Sequence, residues 1–131
     1  MLDIMHIMAD GAPAPVAPFS HAVRSGQFLF VTGQMPTVPG QGQTMAPGGI
    51  EDQTRRVMEN LRIVLATEGL DLQHIVMARV YLTDFQRDYA AMNATYEAFF
   101  EPGKRPARTC IGVTGLALDA LVEIDLIAST A

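Results

Sequence analysis

The chain reads as an α+β protein in which two helices lie on one face of a single sheet. Three observations predict this. Strand-type alternation and helix-type spacing follow one another as strand, strand, helix, strand, helix, strand, strand. The length of 131 residues leaves room for about one domain spanning residues 1–131. With 49% hydrophobic and 18% charged residues and a mean hydropathy of +0.19, the chain can bury a core and is not of disordered composition.

The opening run Met1-Leu2-Asp3-Ile4-Met5-His6-Ile7-Met8 is apolar but short, carries Asp3 and lacks a basic flank. It reads as an edge strand, not as a secretory signal. Gly11, Pro13, Pro15 and Pro18 deny residues 9–20 both helix and central-strand geometry, which makes them an approach loop or arm. From Ala22 to Thr32 two strand pieces flank a turn at Ser25-Gly26-Gln27, and Phe28, Phe30 and Thr32 alternate with Leu29 and Val31, so both faces are largely apolar. Gly33, Gly40, Gly42, Gly48 and Gly49, with Pro36, Pro39 and Pro47 between them, make residues 33–49 a long loop, and such loops are often functional.

Helical spacing takes over across residues 50–68, with Ile50, Val57, Leu61, Val64 and Leu65 on one stripe. Glu51 and Asp52 suit the first turn of its dipole and Gly69 stops it. Residues 76–83 form a β-branched and aromatic strand with Val76, Ala78, Val80 and Leu82 on one face and Met77, Arg79, Tyr81 and Thr83 on the other. A second helix is predicted over residues 88–100, with Tyr89, Met92, Tyr96 and Phe99 on one side and Pro102-Gly103 ending it. Strands over 107–113 and 121–128 close the chain.

In the last strand Val122, Ile124, Leu126 and Ala128 are placed to meet the helices, leaving Leu121, Glu123, Asp125 and Ile127 on the other side. Its expected neighbour, the strand over 107–113, groups Arg108, Cys110 and Gly112 against Ala107, Thr109, Ile111 and Val113. The uncovered face then mixes apolar groups with carboxylates and a guanidinium, too apolar for open water and too charged for an ordinary core. It predicts an oligomeric interface with polar sites inside it.

Composition narrows the partners. Fourteen acidic against nine basic residues give a net charge of -5, which would repel a phosphate backbone, so nucleic acid is a poor partner. No apolar run approaches the roughly 18 residues that span a membrane. Cys110 is the single cysteine, and with only His6, His21 and His74 beside it no Cys-based zinc site can form; a reducing, cytoplasmic setting fits. No phosphate-binding glycine loop, nucleotide fingerprint or HExxH is present, so neither a metal nor a cofactor is expected.

Arg108 sits where Pro106-Ala107 passes into a strand, beside a loop. Its planar paired donors match a carboxylate, so it reads either as a substrate anchor or as half of an interface salt bridge. Glu123 lies between Val122 and Ile124 on a strong strand, where an ionised group is costly unless paired or used. It reads as a carboxylate that holds a water and moves protons, or as the ionic partner of Arg108 or Arg79. Cys110 reads as a small buried hydrophobe rather than a nucleophile, and His21 as a loop histidine or a proton carrier. Ser20, Thr32 and Asn93 are more ordinary as turn, strand and helix residues than as ligands.

Taken in order, six segments resemble one known family. They are Ala17-Pro18-Phe19-Ser20-His21-Ala22, Phe30-Val31-Thr32-Gly33-Gln34-Met35-Pro36, Gln53-Thr54-Arg55 through Asn60-Leu61, Met92-Asn93-Ala94-Thr95-Tyr96-Glu97-Ala98-Phe99-Phe100, Pro106-Ala107-Arg108-Thr109-Cys110, and Ala120-Leu121-Val122-Glu123-Ile124. The chain from about Ala14 to Ala128 resembles the RidA, or YjgF-like, reactive intermediate (enamine/imine) deaminases. The resemblance implies a chorismate-mutase-like (bacillus type) sandwich with one mixed sheet, and a homotrimer whose sheets form a central β-barrel with sites between subunits. It also implies hydrolysis of 2-imino or 2-amino-acrylate intermediates to 2-keto acids and ammonia, without a cofactor. Carried over residue by residue, Arg108 grips the substrate carboxylate with the Cys110 backbone NH, and Glu123, with the Gly33 backbone, positions the attacking water. Thr32 keeps the hydroxyl of a family Ser, and Asn93 matches an Asn that lines the cleft.

Two departures stand out. Phe19 replaces the family's usual Tyr and His21 the following Gln, so a phenolic hydroxyl expected to face the substrate is missing. Leu116-Ala117-Leu118-Asp119 replaces the common Leu-Pro-Lys-Asp and changes the rim between two site-bearing strands. The leading expectation is an imine deaminase acting on a small imino acid; the alternative is a non-catalytic trimer that binds keto acids or amino acids. Ribonuclease activity, also credited to the family, sits poorly with the charge of -5.

Overall fold

Alternating apolar positions in the three central strands bury one side of the sheet and leave the other open, and the helices cover the buried side. In the computed structural model residues 3–130 are described, so Met1 and Leu2 of the expected first strand lie outside the described residues. The elements are β1 (Ile4–Ile7), β2 (Ala22–Ser25), β3 (Phe28–Gln34), α1 (Ile50–Thr67), β4 (Ile75–Leu82), α2 (Phe85–Glu97), β5 (Ala107–Gly112) and β6 (Val122–Ser129). They form one mixed sheet in the order β1-β2-β3-β6-β4-β5, with β4 and β5 parallel and every other pair antiparallel. The α+β reading with two helices on one sheet therefore holds.

The strand over 107–113 was expected beside the last strand, and there the structure differs. β5 pairs with β4, because the α2 crossover between them joins parallel strands, and β6 runs through the middle between β3 and β4. Leu29, Val31, Val80, Leu82, Val122 and Ile124 bury the covered face against Val57, Leu61, Leu65 and Met92. Val122, Ile124, Leu126 and Ala128 point into this core, as their spacing predicts. In β4 the register to β6 shifts between Ile75 and Met77, so Ile75 is buried and Val76, expected on the core face, is 45% exposed.

α2 begins three residues before the expected start because Asp84 caps it, its side chain accepting from the Arg87 amide at 3.2 Å. Tyr89, expected on the packed side, is exposed and stacks on Phe85 with ring centroids 4.6 Å apart. Among the described residues no helix is long and apolar enough to cross a membrane.

Two polar clips order the segments that lack regular structure. His21 is buried; its Nδ1 accepts from the Ala9 amide and its Nε2 donates to the Pro13 carbonyl, both at 2.8 Å. The bonds assign the tautomer with the proton on Nε2 and pin the proline-rich approach against the sheet, so His21 is a buried clip and not a surface histidine. Asn60, fully buried on α1, donates to the carbonyls of Met35 at 2.9 Å and Thr37 at 2.8 Å and accepts from Arg56 Nε at 3.0 Å. It holds the start of the long loop. Asn60→Ala strands two buried acceptors and should cost about 2–4 kcal/mol of unfolding free energy, with faster proteolysis within residues 38–49, as chemical denaturation and limited digestion would measure.

Candidate functional site

The pairing of β3 with β6 runs in register from Phe28↔Ser129 to Val31↔Leu126 and resumes at Gln34↔Ile124. Two residues, Thr32 and Gly33, therefore stand opposite Asp125 alone, which is a β-bulge. The bulge brings Gly33 under the Glu123 side chain. A β-carbon built on Gly33 would overlap Glu123 Oε2 and come within 2.8 Å of its Cδ. Any larger residue at this position would push the Glu123 carboxylate aside.

Glu123 is half-buried on the uncovered face, and burial, followed by the negative charge of Asp125, pushes its carboxyl above the usual carboxylate range. Among the described residues it has neither an ion pair nor a side-chain hydrogen bond. The alternative role as ionic partner of Arg79 goes instead to Asp125, which accepts from Arg79 Nε at 2.8 Å, Arg79 Nη2 at 2.9 Å and the Tyr81 hydroxyl at 3.1 Å. Arg79, not Arg108, is the guanidinium of the uncovered face.

Arg108 lies on the opposite side. In the parallel register Arg108, Cys110 and Gly112 pair with Ala78, Val80 and Leu82, the core-facing residues of β4, so Arg108 points toward α2. Its Nη1 donates to Asn93 Oδ1 at 2.7 Å and approaches Met92 Sδ at 4.0 Å, while the guanidinium carbon stands 5.0 Å from the centroid of the Tyr96 ring. A guanidinium has five N–H donors, so the Nε and Nη2 side remains, a fork that matches the two oxygens of a carboxylate. No carboxylate pairs with Arg108 among the described residues. It lines a cleft of about 320 Å³ with Asn93, Tyr96, Glu97, Arg105 and Pro106.

The expectation that Arg108 and Glu123 share one side of the sheet is thus corrected. Arg108 is level with Ala78 and Glu123 with Tyr81, three residues along and two strands across, which is about 14 Å between backbones at ordinary strand spacings. They also face opposite ways. One small acid cannot touch both within a single chain.

The remaining expected residues divide between the same two faces. Thr32 and Gly33 line a concavity of about 650 Å³ on the uncovered face, with Phe30, Met77, Arg79 and Asp125. Phe19, 37% exposed, borders a narrow crevice that also reaches Gly33. Cys110 is half-buried on the Arg108 side, and burial pushes its thiol up, against the opposing pull of the Arg108 charge, which suits a packing residue. Asn93 is engaged by Arg108 rather than open on both ends of its amide. Helical spacing places Tyr96 among the packing residues of α2; its position four residues after Met92 and three after Asn93 is the signal that sets it beside Arg108. Among the described residues no three His, Cys, Asp or Glu side chains cluster as a metal site would need.

Because the raised carboxyl of Glu123 binds its proton more tightly in the folded chain, that group stabilises the fold at low pH and loses the contribution as pH rises through its folded pKa. Glu123→Gln should therefore raise the melting temperature at pH 7, with the gain shrinking as pH falls into the ordinary carboxylate range, as paired thermal melts would show.

Comparison with known proteins supplies the lineage. The sequence model of the family described as Endoribonuclease L-PSP matches residues 9–130. A RutC family protein of Pyrococcus horikoshii is 41% identical over 122 residues, covering 93% of this chain and 94% of that protein. The 2-iminobutanoate/2-iminopropanoate deaminase of Escherichia coli is 35% identical over 124 residues, covering 93% and 94%. The crystal structure of the YjgF gene product of Escherichia coli superposes with a TM-score of 0.87 at 32% identity, covering 97% of this chain and 99% of that one. By sequence over nearly its whole length and by fold, this chain belongs to the Endoribonuclease L-PSP family, the group of the RidA and YjgF proteins.

Proposed function

We propose that the protein hydrolyses small 2-imino acids to 2-keto acids and ammonium at sites shared between copies of the chain. The observation that carries this reading is the Arg108 fork left open beside Asn93, together with the unpaired Glu123 carboxyl over Gly33; because they lie on opposite sides of the sheet, a neighbouring copy has to bring them together. The uncovered face keeps Ile4 43%, Phe28 39%, Phe30 45% and Ile111 47% exposed around the Arg79–Asp125 pair, which suits burial against further copies. A homotrimer is the assembly the family resemblance implies. The Escherichia coli relative named as a deaminase supports the reaction class.

Arg108 offers Nε and Nη2 to the substrate carboxylate, with the Cys110 amide beside it. The imine carbon then sits near Glu123 of a neighbouring copy. Ionised Glu123 takes a proton from water as its oxygen bonds to that carbon, giving a tetrahedral carbinolamine. The carboxyl returns the proton to nitrogen, the carbon–nitrogen bond breaks, and the hydroxyl proton leaves with the ammonia as ammonium. A protonated imine is electrophilic already, so orientation and one activated water suffice and no cofactor is required. The family description names an endoribonuclease, but the charge of -5 weighs against a polyanionic substrate.

Arg108→Ala removes two charge-assisted hydrogen bonds and should lower kcat/KM for freshly generated 2-iminobutanoate about hundredfold. Arg108→Ala and Glu123→Ala, each nearly inactive alone, should regain about a quarter of the wild-type rate when co-expressed in equal amounts, since that share of sites pairs an intact residue from each neighbour. No recovery would end the shared-site reading. Saturable keto-acid binding without imine turnover by the wild type would favour the binding-only alternative. Gly33→Ala displaces the Glu123 carboxylate and should reduce kcat about hundredfold while 2-oxobutanoate still binds, as steady-state kinetics and calorimetry would show.

A further inference from the structure

Arginine side chains have many rotamers, and a carboxylate fork works only when its direction is fixed before the ligand arrives. Three side chains of α2 surround the Arg108 guanidinium. Asn93 Oδ1 and Met92 Sδ both take Nη1, which fixes one corner of the group but leaves it free to pivot there. The Tyr96 ring meets it from another side, with the guanidinium carbon 5.0 Å from the ring centroid. Tyr96 is itself held: it is 4% exposed, and Phe100 packs beside it at a centroid separation of 5.0 Å and a tilt of 47°.

The hydroxyl of Tyr96 has no hydrogen-bond partner among the described residues although it is buried. Burial also pushes the phenol up to about 12, so it stays neutral and offers no charge to Arg108. Only the ring's electron-rich face is left to act on the cation.

We propose that Tyr96 is a positioning residue for imine hydrolysis, and that its ring, through a cation–π contact, aims the Nε and Nη2 fork of Arg108 at the substrate carboxylate. This rests on reading Arg108 as the carboxylate anchor. A purely structural role would depend on the shape of the ring; an aiming role depends also on its electrons.

The test takes Tyr96→Phe as its reference and replaces that phenylalanine with its mono-, di- and trifluorinated forms, which drain the ring face with little change of volume. KM for 2-iminobutanoate and Kd for 2-oxobutanoate should rise stepwise, by about tenfold across the series, while kcat changes less than twofold. The Nε–H resonance of Arg108 in the ligand-free protein should become more mobile in the same order, and Tyr96→Leu should mobilise it most. Flat KM, Kd and Arg108 mobility across the fluorinated series would overturn the proposal and leave Tyr96 as packing alone. Arg108→Ala separates the two readings: if turnover and keto-acid binding survive it, the anchor assignment fails, whereas the Arg108 resonance in the fluorinated series, where Arg108 is intact, reports independently whether the ring holds the guanidinium.

Discussion

Successive side chains of a β-strand point to opposite faces of the sheet, and in this protein that constraint divides the candidate site. On β6 it sends Val122, Ile124, Leu126 and Ala128 into the core and Glu123 and Asp125 to the open face. On β5 it sends Arg108 and Cys110 to the helix side. With β4 between the two strands, the Arg108 guanidinium and the Glu123 carboxylate cannot converge inside one chain. The same constraint gives the open face its character: apolar aromatic and aliphatic side chains surround a bidentate ion pair, a surface that gains from a second copy.

Around each half, neighbouring elements supply the support. On the open face the Thr32–Gly33 bulge removes a β-carbon where the Glu123 carboxylate lies, and Asp125, saturated by Arg79 and Tyr81, leaves Glu123 without a cationic partner. Burial and the nearby Asp125 charge then raise its carboxyl, with no salt bridge to hold it ionised. On the helix side, α2 presents Met92, Asn93 and Tyr96 along one stripe, so the Arg108 guanidinium is gripped by a rigid element instead of a loop. Asn60 and His21 order the two segments nearest Gly33, the long loop and the proline-rich approach.

Particular residues show what could be read without coordinates. The α1 stripe and the inward set of β6 follow from periods of 3.6 and 2, which burial against a common core enforces. Asp84 is a readable helix cap four residues before the expected start of α2, and its capping bond explains the earlier start. The bulge at Thr32–Gly33, the displaced Val76 and the burial of His21 were not legible, because each depends on how a segment registers against a strand distant in sequence.

By itself the sequence determined the element types and the core stripes of α1 and β6, since local periodicity and side-chain type are properties of a chain before it folds. Strand order was decided only by tertiary structure: β6 enters between β3 and β4 while β5 moves to the edge, because a helix crossover favours a parallel pair. That order, not the spacing of Arg108 and Glu123 in the chain, sets the two groups on opposite faces of the sheet.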